Sequence, residues 1–401
     1  MKLLRGVGCL LVILLVSTRC SDDDQPKVDV SSGKLIESIG AGTTTAASLK
    51  LLVSVSGYKI DASILKHDVE VFKVKYHTTF QGEDITASGL IILPQTDASI
   101  SMLSFQHGTT TLASDAPSVQ STGSFDVLLY SAIASAGFVA VIPDMIGFGS
   151  SSNTFHPYYV EEPTARAVSD LIVAAQELAD QKKLAFDGKL FLAGYSQGGY
   201  ATMAAHKAIE SEPIAGMTLV ASFPAAGGFD LKAIQEYLFS QTEYADPYYL
   251  AYLVNSYQLY YKENNLLKDF FNEPYASAIP GLFDGEHAPS TIDAQLTTSI
   301  KDLVSGDLLT GIDTQPRFNY IVTLLNENSL VNQWYPKTVM YMYHGVDDTT
   351  VPYSNSESTY QKLIANGAST EQLHLISLQG DHGSAIKPYV EDLVPRLMAL
   401  Q

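Results

Sequence analysis

The most informative motif of the chain surrounds a serine that could act as a nucleophile. Residues 194–198 read Gly-Tyr-Ser-Gln-Gly and match the pattern G-x-S-x-G, with Ser196 in the middle. The apolar run 189–193 before it is typical of a strand, and the run 200–209 after it is typical of a helix. A sharp turn between strand and helix holds a serine in a strained, exposed position at the carboxyl edge of a sheet. The motif therefore predicts nucleophilic catalysis by Ser196 and not merely a glycine-rich turn.

His382 is the predicted base for this serine. A serine hydroxyl is a poor nucleophile until a base accepts its proton. His382 follows the last apolar run of strand character, 373–377, which is where the histidine stands in sheets of this kind. His374 lies within that strand and His206 lies on the helix after Ser196, so neither is placed to reach the serine.

Asp347 and Asp348 are the candidates for the carboxylate that orients the base. We favour Asp348, because its spacing to Gly345 and to the pair Val351 and Pro352 matches the acid-loop pattern G-x-x-D-x-x-V-P. Asp347 stays an alternative, and either residue could instead be a turn-forming aspartate. The neighbouring His344 is a candidate to contact the acid.

Two backbone N–H groups should stabilise the oxyanion that such a reaction forms. The amide of Gln197, directly after the nucleophile, is one predicted donor. The other should come from the loop that begins at His107, after the apolar run 101–106. Gly108 allows the backbone to turn inward, and the amide of Thr109 is the predicted second donor.

Strand-like and helix-like runs alternate around these residues. Short continuous apolar runs suit strands that are buried on both faces of a parallel sheet. The alternation predicts an α/β fold with a mostly parallel, doubly wound sheet. The runs of strand character are 69–76, 88–94, 101–106, 137–143, 189–193, 216–223, 338–343 and 373–377, and those of helical character include 164–184, 200–209 and 384–400.

The segment 229–335 interrupts this alternation. It is rich in tyrosine, contains the only tryptophan, Trp334, and has mostly helical periodicity. We therefore expect a helical cap at 229–335 that lies over the sheet, with the core formed by 51–228 and 336–401. Residues 20–50 are polar and small and predict a tether with room for one early helix.

Residues 1–19 resemble the signal peptide of a lipoprotein. Their apolar stretch, 6–18, is too short to cross a bilayer comfortably. Cys20 is the predicted site of lipidation, although Arg19 departs from the small residue usual before that cysteine. The acidic run 21–24 is typical either of export to the cell surface or of a solvated charge run. We expect an exported protein, at the outer membrane or cell surface or else secreted or periplasmic, whose only membrane contact is a lipid on Cys20.

Composition and charge exclude several classes of function. Over 401 residues, 46% are hydrophobic and 17% are charged, as in a globular protein with a substantial core. The formal net charge of −19 argues against nucleic acid as a partner, because long-range repulsion opposes its binding. The only cysteines are Cys9 and Cys20, so the globular part can form neither a disulfide nor a cysteine metal site. Metal, nucleotide and dinucleotide motifs are absent, and we expect no metal and no cofactor.

Several segments together resemble the secretory lipase family of α/β-hydrolases. The resemblance covers most of the chain from residue 60 onward, and it implies an α/β-hydrolase fold, a helical cap, ester substrates and no cofactor. The segments are Gln-His-Gly-Thr at 106–109, Ala-Pro-Ser at 116–118, Ser-Ala-Gly-Phe at 135–138, Ile-Pro-Asp-Met-Ile-Gly-Phe-Gly-Ser at 142–150, His-Pro-Tyr at 156–158 and Gly-Tyr-Ser-Gln-Gly-Gly at 194–199.

These observations favour a serine carboxylester hydrolase that works through an acyl-enzyme. The aromatic cap suits an apolar or aromatic acyl group, and its hydroxyls could meet a sugar or glycerol. The expected partner is thus a small-molecule, lipid or sugar ester. Two alternatives stay open: a serine peptidase, since the same triad cleaves amides, and a surface lipoprotein that binds glycans or lipids without catalysis.

Overall fold

A computed structural model describes residues 33–401 of the chain. In this part, nine strands form one sheet in the order β1-β2-β3-β5-β4-β6-β7-β8-β9. The predicted signal peptide 1–19, the lipidation site Cys20 and the first part of the predicted tether lie outside the described residues. The strands are β1 (Leu35–Thr44), β2 (Val69–Phe80), β3 (Glu83–Pro94), β4 (Ile100–Gln106), β5 (Phe138–Pro143), β6 (Phe186–Tyr195), β7 (Thr218–Ala225), β8 (Val339–Gly345) and β9 (Leu373–Leu378).

The central strands are parallel and buried on both faces. Strand β4 pairs in parallel with β5 and β6, so that Ser104 lies opposite Val141 and Leu192. All six residues of β5 are buried, which explains why this strand is a continuous apolar run. The predicted doubly wound, mostly parallel sheet is confirmed. Helices α3 (Glu161–Gln181) and α4 (Gln197–Ser211) pack on one face, and α1 (Ala46–Val55), α2 (Phe125–Ser135) and α14 (Ile386–Leu400) pack on the other.

The described part of the predicted tether is ordered secondary structure, which corrects the expectation for residues 33–50. Strand β1 pairs antiparallel with β2 along its length. The carboxylate of Glu177 accepts hydrogen bonds from the N–H groups of Lys34 and Leu35, at 2.9 and 2.8 Å. Strand β1 lies at the edge of the sheet and none of its side chains is fully buried. Its sequence therefore lacks the alternation that reveals a half-buried strand.

The segment 229–335, which we call the cap, joins β7 to β8. The carbonyl of Phe229 accepts from the N–H of Leu330 at 2.8 Å, so the two ends of the cap meet. After the cap, the core continues with β8, helix α13 (Tyr353–Asn366) and β9. The cap helices are α5 (Leu231–Ser240), α6 (Pro247–Tyr261), α7 (Leu266–Phe270), α8 (Tyr275–Ala278), α9 (Pro289–Asp293), α10 (Ile300–Leu303), α11 (Gly306–Gly311) and α12 (Asn319–Glu327). Among residues 33–401, the helices are all too short or too polar to cross a membrane.

Candidate active site

Ser196 stands at the turn between β6 and α4 in an unusual backbone conformation. Its φ is 60° and its ψ is −122°, a region that residues other than glycine rarely occupy. The surrounding structure holds it there: its N–H donates to the carbonyl of Ala225 at 2.8 Å, and its carbonyl accepts from Tyr200 at 3.1 Å. Strained residues of this kind persist where neighbouring contacts fix them, and they concentrate at functional sites.

The glycines around Ser196 are required by close backbone contacts. A Cβ atom at Gly198 would collide with the carbonyl of Gln106 at the end of β4. A Cβ atom at Gly199 would likewise collide with the carbonyl of Ala225 at the end of β7. The turn therefore fits between its neighbouring strands only because these positions lack side chains.

Three predicted side chains come together at the carboxyl edge of the sheet. Nε2 of His382 lies 2.9 Å from Oγ of Ser196, and Nδ1 of His382 lies 2.6 Å from Oδ2 of Asp348. Asp347 is exposed, and of the two candidate acids it is Asp348 that forms the hydrogen bond with the histidine. The three residues follow β6, β8 and β9, and parallel strands bring these loops to the same edge.

The protonation pattern of this chain of contacts suits proton transfer from Ser196. Burial raises the pKa of Asp348, but hydrogen bonds from His344 and His382 lower it by more, so its pKa lies below the ordinary value. An ionised carboxylate only accepts, so Nδ1 of His382 is the donor. Nε2 of neutral His382 is then free to accept the hydroxyl proton of Ser196.

The loop after β4 passes directly over Ser196. A Cβ atom at Gly108 would lie 3.8 Å from Cβ of Ser196, so the loop reaches the nucleophile as the sequence predicts. Gln197 is the first residue of α4, where N–H groups have no partner within the helix. These placements are consistent with Gln197 and Thr109 as oxyanion donors, an assignment that stays a prediction.

His156 fixes the side chain of Gln197, a role the sequence does not reveal. Nδ1 of His156 donates to the carbonyl of Ile146 at 2.6 Å, and its Nε2 lies 2.6 Å from Nε2 of Gln197. Burial lowers the pKa of His156 to about 4, so the ring is neutral and its Nε2 accepts from the Gln197 amide. The only sequence signal for this contact is the His-Pro-Tyr segment at 156–158.

Asp144, directly after β5, links strand β3 to the loop that contains Ser118. Its carboxylate accepts from the hydroxyl of Ser88 at 2.6 Å, from the N–H of Ser118 at 2.7 Å and from the hydroxyl of Ser118. Burial raises the pKa of Asp144. These partners occupy the carboxylate. Among residues 33–401, no group of three or more His, Cys, Asp or Glu side chains could hold a metal ion.

Comparison with known proteins places the chain in a family. The family model of the secretory lipases matches residues 113–384. The chain belongs to the secretory lipase family. Among curated protein sequences, no match was found.

Solved structures agree with this membership and show the α/β-hydrolase fold. A provisionally assigned hydrolase from Legionella pneumophila is 24% identical with a TM-score of 0.81, covering 92% of this chain and 98% of that one. A ligand-bound form of the rice cell wall degrading esterase LipA from Xanthomonas oryzae is 25% identical with a TM-score of 0.76, covering 91% and 96%. Candida antarctica lipase A is 18% identical with a TM-score of 0.62, covering 87% and 77%.

An apolar cavity of about 60 Å³ adjoins Ser196. Leucines and an isoleucine of the cap line it, together with tyrosines from both core and cap. The cavity is far smaller than the about 300–1,000 Å³ of most ligand pockets. Its lining residues are Tyr158, Tyr159, Ser196, Leu231, Ile234, Leu238, Tyr244, Tyr249, Leu250, Leu253, Thr350 and Val351.

The cap is in contact with residues on both sides of Ser196. On the acid side, the hydroxyl of Tyr244 donates to the carbonyl of Thr350 at 3.0 Å, and the hydroxyl of Thr350 lies 3.0 Å from Oδ2 of Asp246. On the oxyanion side, the hydroxyls of Thr109 and Tyr158 are 2.8 Å apart. The Tyr158 ring stacks on cap residue Tyr252 at a centroid distance of 4.5 Å.

Proposed function

We propose that this secretory lipase is a serine carboxylester hydrolase that works through an acyl-enzyme. The observation that carries the proposal is the continuous set of hydrogen bonds from Ser196 through His382 to Asp348. This set begins at a strained serine in the turn between β6 and α4. Membership of the secretory lipase family supports lipase or esterase activity, and the geometry supports the serine mechanism.

The proposed reaction has two halves. Oγ of Ser196 attacks the ester carbonyl while Nε2 of His382 takes its proton, and the amides of Gln197 and Thr109 stabilise the oxyanion. His382 then gives the proton to the departing alkoxide, which leaves as the alcohol, and the acyl group stays on Oγ of Ser196 as an acyl-enzyme. Water repeats the sequence: His382 accepts its proton, the hydroxide attacks the acyl group, and Ser196 regains its proton as the acid departs. Asp348 stays ionised and orients His382 throughout.

The cavity beside Ser196 favours esters with an apolar acyl group. Aliphatic side chains of the cap and tyrosine rings line most of it, and burying apolar substrate surface there is favourable by roughly 25 cal/mol per Å². The similar Xanthomonas structure is that of a rice cell wall degrading esterase. We extend this to a proposal that the alcohol part can be a sugar or glycerol, which cap tyrosine hydroxyls would meet.

A serine peptidase is the second candidate, because the same side chains also cleave amides. Chromogenic acyl esters and aminoacyl anilides of matched acyl groups separate the two. We expect the ester to be hydrolysed and the anilide to be hydrolysed far more slowly or not at all. Ser196→Ala should remove the ester activity without changing the melting temperature by much. Faster turnover of the anilide would favour the peptidase, and an ester activity that survives in Ser196→Ala would contradict the proposed function.

We also propose that the lipase is exported and attached to a membrane through a lipid on Cys20. Family membership supports export, and the sequence pattern around Cys20 supports the lipid. Mass spectrometry of the native amino terminus tests this. An acylated Cys20 is the expected result, and an unmodified terminus elsewhere would contradict it.

A further inference from the structure

A second histidine contacts the carboxylate of Asp348. Oδ1 of Asp348 accepts from the N–H groups of Thr350 and Val351, both at 3.0 Å. Oδ2 faces Nδ1 of His382 at 2.6 Å and Nε2 of His344 at 3.1 Å. Two histidines therefore share one oxygen of this buried side chain.

The hydrogen bonds of His344 determine where its proton is. Its Nε2 also lies 2.9 Å from the carbonyl oxygen of Val351. A carbonyl only accepts, so Nε2 carries the proton and shares it between Val351 and Asp348. Its Nδ1 lies 2.6 Å from the hydroxyl of Ser356 on α13, which can donate to it. The His344 side chain is 0% exposed, and as a neutral ring it has partners at both nitrogens.

We propose that His344 is a positioning residue that fixes Oδ2 of Asp348 in place and favours the ionised form of this carboxylate. This rests on the proposed function. His344 sits at the end of β8 and is held from α13, so it is anchored to rigid elements. Asp348 lies on the following loop. Its carboxylate therefore has one contact with the end of the sheet, through His344, in addition to those with the amides of its own loop. Groups behind a reacting residue commonly act in this way, by orienting it.

Removing His344 has a predictable effect on protonation. His382 and Asp348 form a pair joined by a hydrogen bond of 2.6 Å, so a change in the donors to Asp348 also acts on His382. Without the N–H of His344, the negative charge on Asp348 loses a donor, and the pair holds its first added proton more tightly. The acid limb of the kcat/KM profile should therefore move to higher pH. The other ionisable groups close to this pair or to His344 are Asp381, Tyr159, Tyr195, Tyr244, Tyr249 and Tyr353.

The test compares variants that differ in the donor to Asp348. His344→Leu removes the N–H, whereas His344→Gln keeps an amide N–H near the position of Nε2. With a chromogenic ester between about pH 5 and about pH 9, we expect His344→Leu to lower kcat/KM by about 10- to 100-fold and to move the acid limb upward. His344→Gln should recover most of both effects. Ser356→Ala removes only the hydrogen-bond partner of Nδ1 of His344 and should give a smaller change in the same direction.

His206→Leu is the matched control. His206 is also fully buried with partners at both nitrogens, Ser222 and Glu210, but it lies away from Asp348. Its loss should lower the melting temperature and leave the acid limb in place.

An unmoved acid limb in folded His344→Leu would overturn the positioning role, as would the same shift in His206→Leu. If His344→Leu does not fold, the acid limb of Ser356→Ala provides the test, and an unmoved limb in that variant would overturn the positioning role. Wild-type protein without ester hydrolysis would instead overturn the proposed function itself.

Discussion

Ser196, His382 and Asp348 are distant in sequence and meet only because three parallel strands end together. Each could be predicted, since each follows a recognisable strand and stands in a motif with defined spacing. The choice between Asp347 and Asp348 rested on one spacing pattern, and the contact of His382 with Asp348 agrees with it. His156 could not be predicted, because its contact with Gln197 joins loops that no local pattern relates.

Replacing the acid tests this choice. Asp348→Asn should keep the fold and lower kcat on the order of 10⁴-fold, because an amide stabilises the wrong tautomer of the histidine. Asp347→Asn is the control, since this exposed side chain lies away from His382. Steady-state kinetics of both variants provide the measurement. A large loss in Asp347→Asn with little change in Asp348→Asn would show that the acid is misassigned.

His156 should make the folded state sensitive to mild acid. Its pKa is lowered to about 4 by burial, whereas an unfolded histidine titrates near about 6.5. As pH falls through this interval the unfolded chain binds the proton first, so stability is lost between about pH 6.5 and about pH 4, by up to about 3 kcal/mol. His156→Asn keeps a donor to the carbonyl of Ile146 and removes the titration. Urea unfolding at several pH values should show a shallower loss for the variant than for wild type, and parallel curves would contradict this account.

At the scale of elements, buried strands could be predicted from the sequence and an exposed edge strand could not. Strand β5 and residues 190–195 of β6 could be predicted because they are buried throughout and almost all apolar, and β4 is buried at six of its seven positions. Strand β1 could not be predicted because it is an edge strand with a polar, glycine-containing sequence. Its pairing depends on partners that are far along the chain, including Glu177 on α3. Edge strands of this kind are specified by tertiary contacts more than by their own residues.

The hydroxyl of Tyr158 should position the loop that begins at His107 and carries Thr109. Tyr158→Phe keeps the ring that stacks on Tyr252 and removes only the hydroxyl that meets Thr109. We expect kcat to fall about 10-fold, with a stability change of about 1 kcal/mol. Tyr76→Phe is the control, because the Tyr76 hydroxyl is also buried and bonded, to the carbonyl of Ala167 in the core. Its stability should fall similarly while kcat is unchanged. A kcat of Tyr158→Phe equal to wild type would exclude this role.

At the scale of the whole molecule, the cap and the hydrolase core share the site. Residues of the cap line one side of the small cavity at Ser196. The hydrogen bond between the hydroxyl of Thr350 and the carboxylate of Asp246 joins the cap to the loop that carries Asp348. Long acyl chains exceed this space, and we expect their entry to involve a shift of the cap. The presence of a helical insertion could be predicted from the break in alternation. Its contacts with Thr350 and Tyr158 could not, because they join surfaces that meet only after folding.

Removing the hydrogen bond between Thr350 and Asp246 should change the substrate preference. Thr350→Val removes the hydroxyl that binds Asp246 and keeps the backbone N–H that binds Asp348. We expect kcat/KM for long-chain esters to rise several-fold relative to short-chain esters, since loss of one hydrogen bond contributes about 1 kcal/mol. Thr323→Val on α12 is the control, because its hydroxyl bonds only within its own helix. An unchanged ratio of long- to short-chain activity in Thr350→Val would argue against a moving cap.

The most direct test of the central claim is labelling of the folded protein with a fluorophosphonate, followed by mass spectrometry of its peptides. An activated serine forms a covalent adduct with this reagent, whereas ordinary serines do not. The account predicts one adduct, on Ser196, and much slower labelling in Asp348→Asn. Folded protein that stays unlabelled, or that is labelled at another serine, would contradict it.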